Sequence, residues 1–279
     1  MIFNMEFKSN FGKMISWAIV LIILLGLMLA FYPFLADSQM SSLLNSVVEN
    51  FSESTREILG FYNNLDITNI SDFLSLIYHY LAFLILIFAM QLGANSLAKE
   101  QSSGNIEYIY SNPISKSEIV TSKISANILI YIIFLIIMAV ATCGLSILLT
   151  SINIGSVDLP AVSNYEILQA VVKIFVGLLG SGLVFMSFGY FFSSMSRSST
   201  QQDAVSALFV FLIYLVTVIG MTIGGVFENV VKFFPNLAFA PYSFVSANLD
   251  FIAVAVNLGI FILMIVLTYA IYSNKELKY

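Results

Sequence analysis

Residues 124–149 read ISANILIYIIFLIIMAVATCGLSILL, an apolar run without one charged side chain. Coiled as an α-helix at about 1.5 Å per residue, it is long enough to cross the roughly 30 Å hydrocarbon core of a bilayer. Five more runs of the same kind flank it, at 14–35, 73–94, 167–192, 204–226 and 251–272. The repetition sets the fold class. It predicts an all-α membrane protein with six transmembrane helices, forming a single domain over 1–279.

Composition agrees, with 59% hydrophobic and 10% charged residues against roughly 45–50% and about 25% in soluble domains. The net charge of −5 and the absence of a basic cluster exclude nucleic acid as a partner, because that binding depends on neutralising phosphates. The single cysteine, Cys143, lies inside the quoted run, so no intrachain disulfide is possible and its thiol reads as packing. The first run begins like a signal peptide. It exceeds the roughly 7–15 residues of a signal core and no small-x-small cleavage site follows, so it reads as a retained anchor.

Six spans put both termini on one side, and the positive-inside rule says which. With the termini in the cytoplasm, Lys8, Lys13, Lys99, Lys116, Lys123, Arg197, Lys275 and Lys278 face inward, leaving only Arg56, Lys173 and Lys232 of the 11 basic residues. The opposite loops carry mostly Asp and Glu. The expectation is a multi-pass protein of the cell membrane with cytoplasmic termini, in contact with membrane lipids.

Two external segments stand out. Residues 36–72 place Leu43, Leu44, Val47, Val48, Phe51, Ile58 and Leu59 at helical spacing among polar residues, an amphipathic helix that caps the bundle or senses a substrate. Residues 227–250 are apolar but broken by Pro235, Asn236 and Pro241, which predicts a short re-entrant helical hairpin, an ordinary loop being the alternative. Between the second and third spans, 97–121 reads LAKEQSSGNIEYIYSNPISKSEIVT, the longest charged interruption on the inner side.

Enzyme chemistry finds little support. His79 is the only histidine, which rules out an HExxH zinc site. Asp72, Asp203 and Asp250 fall at span ends, so no carboxylate pair faces another inside the bilayer. A serine mechanism would need Ser181 beside His79, whereas His79 between Tyr78 and Tyr80 reads as an interfacial anchor. Gly177, Gly180, Gly182 and Gly189 in the fourth span predict close helix packing. There is no GxxxxGK[ST] loop, so ATP-driven work requires another chain.

Within the inner segment, Glu100, Gly104, Asn105 and Glu107 are followed by Pro113, Ile114, Ser115, Lys116, Glu118 and Lys123. This order resembles the E-x3-G-T-x-E, P-I-S-R/K-x-E and K signature of type-2 ATP-binding-cassette (ABC) transporter permeases, with Asn105 in place of the usual Thr. The number of spans, the internal termini and the broken segment between the last two spans are similar to that family, so the resemblance covers nearly the whole chain. It implies a coupling helix seated in a groove of an ABC ATPase subunit, present in two copies, with a second permease copy or paralogue completing the transporter. It implies no cofactor in this chain, with ATP and Mg in the partner ATPase. Gly104 would permit a sharp turn and Pro113 would end or begin a short helix, while the alternating charges Lys99, Glu100, Glu107, Lys116 and Glu118 could pair with a polar protein surface. Ile106, Tyr108, Ile109 and Tyr110 would supply apolar anchors. The implied function is export of an amphiphilic substrate such as a lipid, hydrophobic peptide or drug; the alternative is a membrane-embedded assembly or immunity factor that binds a partner without transport.

Overall fold

The computed structural model describes residues 2–63, 65–98, 115–151, 163–196 and 201–275. In chain order the helices are α1 (Ile2–Leu29), α2 (Tyr32–Ala36), α3 (Ser38–Val48), α4 (Glu53–Ile58), α5 (Ile70–Ala94) and α6 (Lys116–Ser151), followed by α7 (Asn164–Met195), α8 (Gln202–Ile223), α9 (Val226–Val231), α10 (Pro235–Ala238), α11 (Pro241–Val245) and α12 (Phe251–Asn274). No strand occurs among the described residues, and six helices, α1, α5, α6, α7, α8 and α12, are long and apolar enough to span a bilayer.

Helices outrun the apolar runs at several ends. The helix containing the first run begins at Ile2 rather than Met14, because Glu6 and Asn10 are buried against other helices instead of being left in water. Side-chain caps fix other starts: Asp37 accepts from the backbone of Gln39 and Met40 to start α3, Asn69 caps α5, Ser163 caps α7 and Asp250 caps α12. The helix of the fifth run, α8, stops at Ile223, short of the run's end at 226, because Gly224 and Gly225 take φ of 74° and 63°, a left-handed bend that side chains resist.

The buried centre is the pair α5 and α7, packed along most of their length, with α1, α6, α8 and α12 around them. Small residues make this possible, since lipid offers no hydrophobic drive and helices gain by approaching closely. Gly93 and Gly189 bring the two backbones into contact. Gly182 makes room for the Tyr131 ring of α6, whose hydroxyl donates to the Leu178 carbonyl at 2.8 Å. Gly177 and Gly180 receive Phe244 and Phe239 from the segment before α12.

That segment forms three short helices, where the sequence suggests a hairpin of two limbs. Pro235 and Pro241 each stand in the first turn of a helix, starting α10 and α11, and so cut the segment twice. The 36–72 stretch is likewise divided, into α3 and α4, and is tied to the bundle by polar contacts: Tyr32 donates to the Thr68 carbonyl at 2.7 Å, His79 Nε2 to that of Ile58 at 3.0 Å and Tyr80 to that of Leu59 at 2.7 Å.

Candidate functional site

The start of α1, the end of α5, the start of α6 and the ends of α7 and α12 meet at one end of the bundle, here the terminal end, where hydrogen bonds lace them together. Two helices each contribute a pair of polar side chains one turn apart, Glu6 with Asn10 on α1 and Lys123 with Asn127 on α6; the four are at most 8% exposed. Asn10 Nδ2 donates to Glu6 Oε1 at 2.9 Å and to Asn127 Oδ1 at 2.7 Å. Asn127 Nδ2 donates to the Leu92 carbonyl of α5 at 3.0 Å. Lys123 Nζ lies 3.5 Å from Glu6 Oε2 and donates to the Ser96 carbonyl just beyond α5. Burying two charges is tolerable because each meets both its counter-ion and a polar neighbour.

The junction frames the segment 99–114. On its leading side, the backbone amides of Leu97 and Ala98 both donate to Ser193 Oγ of α7, at 2.9 and 3.0 Å. On its trailing side, Ser115 and Glu118 cap α6 reciprocally: the Ser115 amide donates to Glu118 Oε2 at 3.0 Å and the Glu118 amide to Ser115 Oγ at 3.2 Å. Lys116 donates to the carbonyls of Ser273 and Lys275 at 3.0 and 2.9 Å, placing its charge at the negative end of α12. Lys275 in turn donates to the carbonyls of Ser194 and Ser196 at 3.0 and 2.5 Å, closing off α7 in the same way. A chain of contacts therefore runs from Lys116 through α12 and Lys275 to the end of α7, where Ser193 holds the other side of the segment. A peripheral ion pair, Lys13 with Asp203 at 2.7 Å, ties α1 to α8, and Asn95 donates to the same carboxylate at 2.7 Å.

Of the sequence-derived coupling residues, Glu100, Gly104, Asn105, Ile106, Glu107, Tyr108, Tyr110 and Pro113 lie outside the described residues. Lys116 and Glu118 are described, and both are engaged within the chain, one on the end of α12 and the other in the start of α6. The Glu in the P-I-S-K-x-E string thus has a structural reason, since Ser and Glu three apart make the reciprocal cap that begins a helix. Glu6, Asn10 and Asn127 went unnoticed in the sequence. The only local signal was the i, i+4 spacing of the polar pairs at the polar ends of two long helices, and that spacing does not tell that the pairs meet.

Ser181 and His79 are not brought together. Ser181 Oγ bonds back to the carbonyls of Gly177 and Leu178 in its own helix, and His79 turns to Ile58.

A family model described as ABC-2 family transporter protein matches residues 1–277. No curated protein matches the chain.

Proposed function

The chain belongs to the ABC-2 family of transporter proteins, a family of membrane permeases of ABC transporters, and on that premise we propose that it is the membrane-spanning subunit of an exporter driven by a separate ABC ATPase. The observation that carries this reading is the family match along 1–277. The terminal end is then the cytoplasmic one, as the distribution of Lys and Arg favours, and the segment 99–114 is the contact for the ATPase.

In this reading two permeases, identical or paralogous, pair with two ATPase subunits that hold ATP and Mg. Closure of the ATPases moves the segment 99–114. The movement passes on both sides, through Ser193 and Ser96 to α7 and α5 and through Lys116 and Lys123 to α12, α6 and α1. Bonded polar contacts transmit displacement better than apolar packing because each has a single short geometry to keep. Repacking of the two membrane halves then moves cargo outward. The chain itself performs no hydrolysis. Its buried charge pair sits at one end rather than along a path, which favours an amphiphilic cargo such as a lipid, hydrophobic peptide or drug over a small ion.

The test is co-purification in mild detergent of the tagged chain from its host, wild type against the double variant Glu107→Ala, Tyr110→Ala. An ATPase that accompanies the wild type and is weakened by the double change is the expected result. Absence of any ATPase from an intact complex of either form would overturn the transport reading in favour of a partner-binding role without transport.

A further inference from the structure

At the end of the bundle opposite the polar junction, α4, α9 and the stretch from α10 to α12 border a half-open cavity of about 290 Å³. Three carboxylates line it, Glu57, Glu228 and Asp250, against one ammonium, Lys232, and two tyrosines, Tyr62 and Tyr242. The lysine is already committed, 2.8 Å from Glu228. Asp250 uses only Oδ1 to cap α12, accepting from the amides of Ile252 and Ala253 at 2.9 and 3.0 Å. Glu57 makes no ion pair among the described residues, and the cavity keeps an excess of negative charge.

The tyrosines supply an independent mark of a missing partner. Their rings stack with centroids 4.9 Å apart and planes within 4°, and the Tyr242 hydroxyl is fixed by donation to the Asn63 carbonyl at 2.9 Å. The Tyr62 hydroxyl oxygen, by contrast, is buried and has no hydrogen-bond partner. Buried polar groups are rarely left so, because losing water without a replacement is destabilising. Burial, reinforced by nearby Glu53, also pushes the Glu57 carboxyl above its ordinary range even with Lys232 and Arg56 nearby, so a further positive charge beside it would be welcome.

The shape of the charge distribution decides the class of ligand. An anion is disfavoured by three carboxylates. A metal ion needs its ligands to converge, and no group of three His, Cys, Asp or Glu among the described residues could hold one. Spread acceptors beside aromatic rings suit an organic ammonium group, which has several N–H donors or a diffuse positive surface that rings attract. We propose that this cavity binds a small organic ammonium ion, free or as a lipid headgroup, with Glu57 and the free oxygen of Asp250 holding its charge and Tyr62 accepting an N–H. The proposal stands apart from the transport reading, since it concerns binding alone.

The test uses the full chain in nanodiscs of phosphatidylglycerol, which carries no amine, titrated with ethanolamine by calorimetry. Saturable binding is expected, weakened at least tenfold in Glu57→Gln and several-fold in Tyr62→Phe, both folded as judged by circular dichroism. Repeating the titration in phosphatidylethanolamine nanodiscs separates the two sources. Loss of the ethanolamine signal there assigns the site to a headgroup, and its persistence assigns it to a free amine; both support the site. No saturable binding in phosphatidylglycerol, binding indifferent to both substitutions, or a Glu57-dependent signal of equal strength with magnesium chloride would each overturn it.

Discussion

Gly93 and Gly189 stand so close that a Cβ on Gly93 would come 2.2 Å from the Met186 carbonyl oxygen, and one on Gly189 2.4 Å from that of Met90. The obstacles are backbone atoms, which cannot swing aside as a side chain does. Gly93→Ala or Gly189→Ala is therefore expected to force α5 and α7 apart, destabilising the fold by about 1–3 kcal/mol or more. Thermal unfolding in detergent micelles reads the effect. Gly259→Ala on α12, where nothing stands within 4 Å, is expected to stay within about 0.5 kcal/mol of wild type.

Removing one member of the Lys123 and Glu6 pair leaves the other charge buried. Lys123→Met is expected to lose about 3–5 kcal/mol. The double variant Lys123→Met, Glu6→Gln is expected to recover part of that loss, because no uncompensated charge remains. A double-mutant cycle on denaturation midpoints measures the coupling, and strict additivity would refute the pairing.

Glu57 gives the opposite end a pH dependence. Its pKa is raised in the folded state, chiefly by burial and then by Glu53, so folding favours the protonated form. The stability it contributes is present below its unfolded pKa, about 4.3, and is lost as pH rises through the higher folded value. Glu57→Gln is expected to stabilise the protein at neutral pH, with the advantage over wild type vanishing near pH 4. Unfolding temperatures of the two proteins across pH 4–8 test this.

His79 serves as a tie between α5 and α4 through the Ile58 carbonyl. His79→Ala is expected to speed amide exchange across Glu53–Ile58 while exchange in α7 is unchanged. In a transport assay the same variant is expected to remain active. Abolished transport with unaltered exchange would point instead to histidine chemistry.

The sequence made the spans legible because lipid demands long apolar runs, and a run such as 124–149 has few other uses. Gly177, Gly180, Gly182 and Gly189 were readable as a packing face, but their partners were not. Gly93, Tyr131, Phe239 and Phe244 are set by tertiary approach, which no local pattern encodes. The ends of the helices were harder still. Hydropathy stops at Met14, whereas α1 reaches back to Ile2 because distant Asn127 and Lys123 satisfy Asn10 and Glu6. The Ser115 and Glu118 cap was visible as letters of a family signature, and only the bonds reveal that it begins a helix. The cavity at the far end was only half legible, since Glu57 and Tyr62 come from one notable segment and Lys232 and Asp250 from the other, and nothing local says that the two meet.

Two helices whose backbones touch at a pair of glycines have no side-chain cushion between them along that stretch, and so little room to slide or tilt independently. Mechanically, α5 and α7 form one stiff beam. A change of shape in this chain is then expected as a motion of the outer helices about that beam, with α12, the least buried of the six long helices, as the freest arm and Lys116 as its pivot.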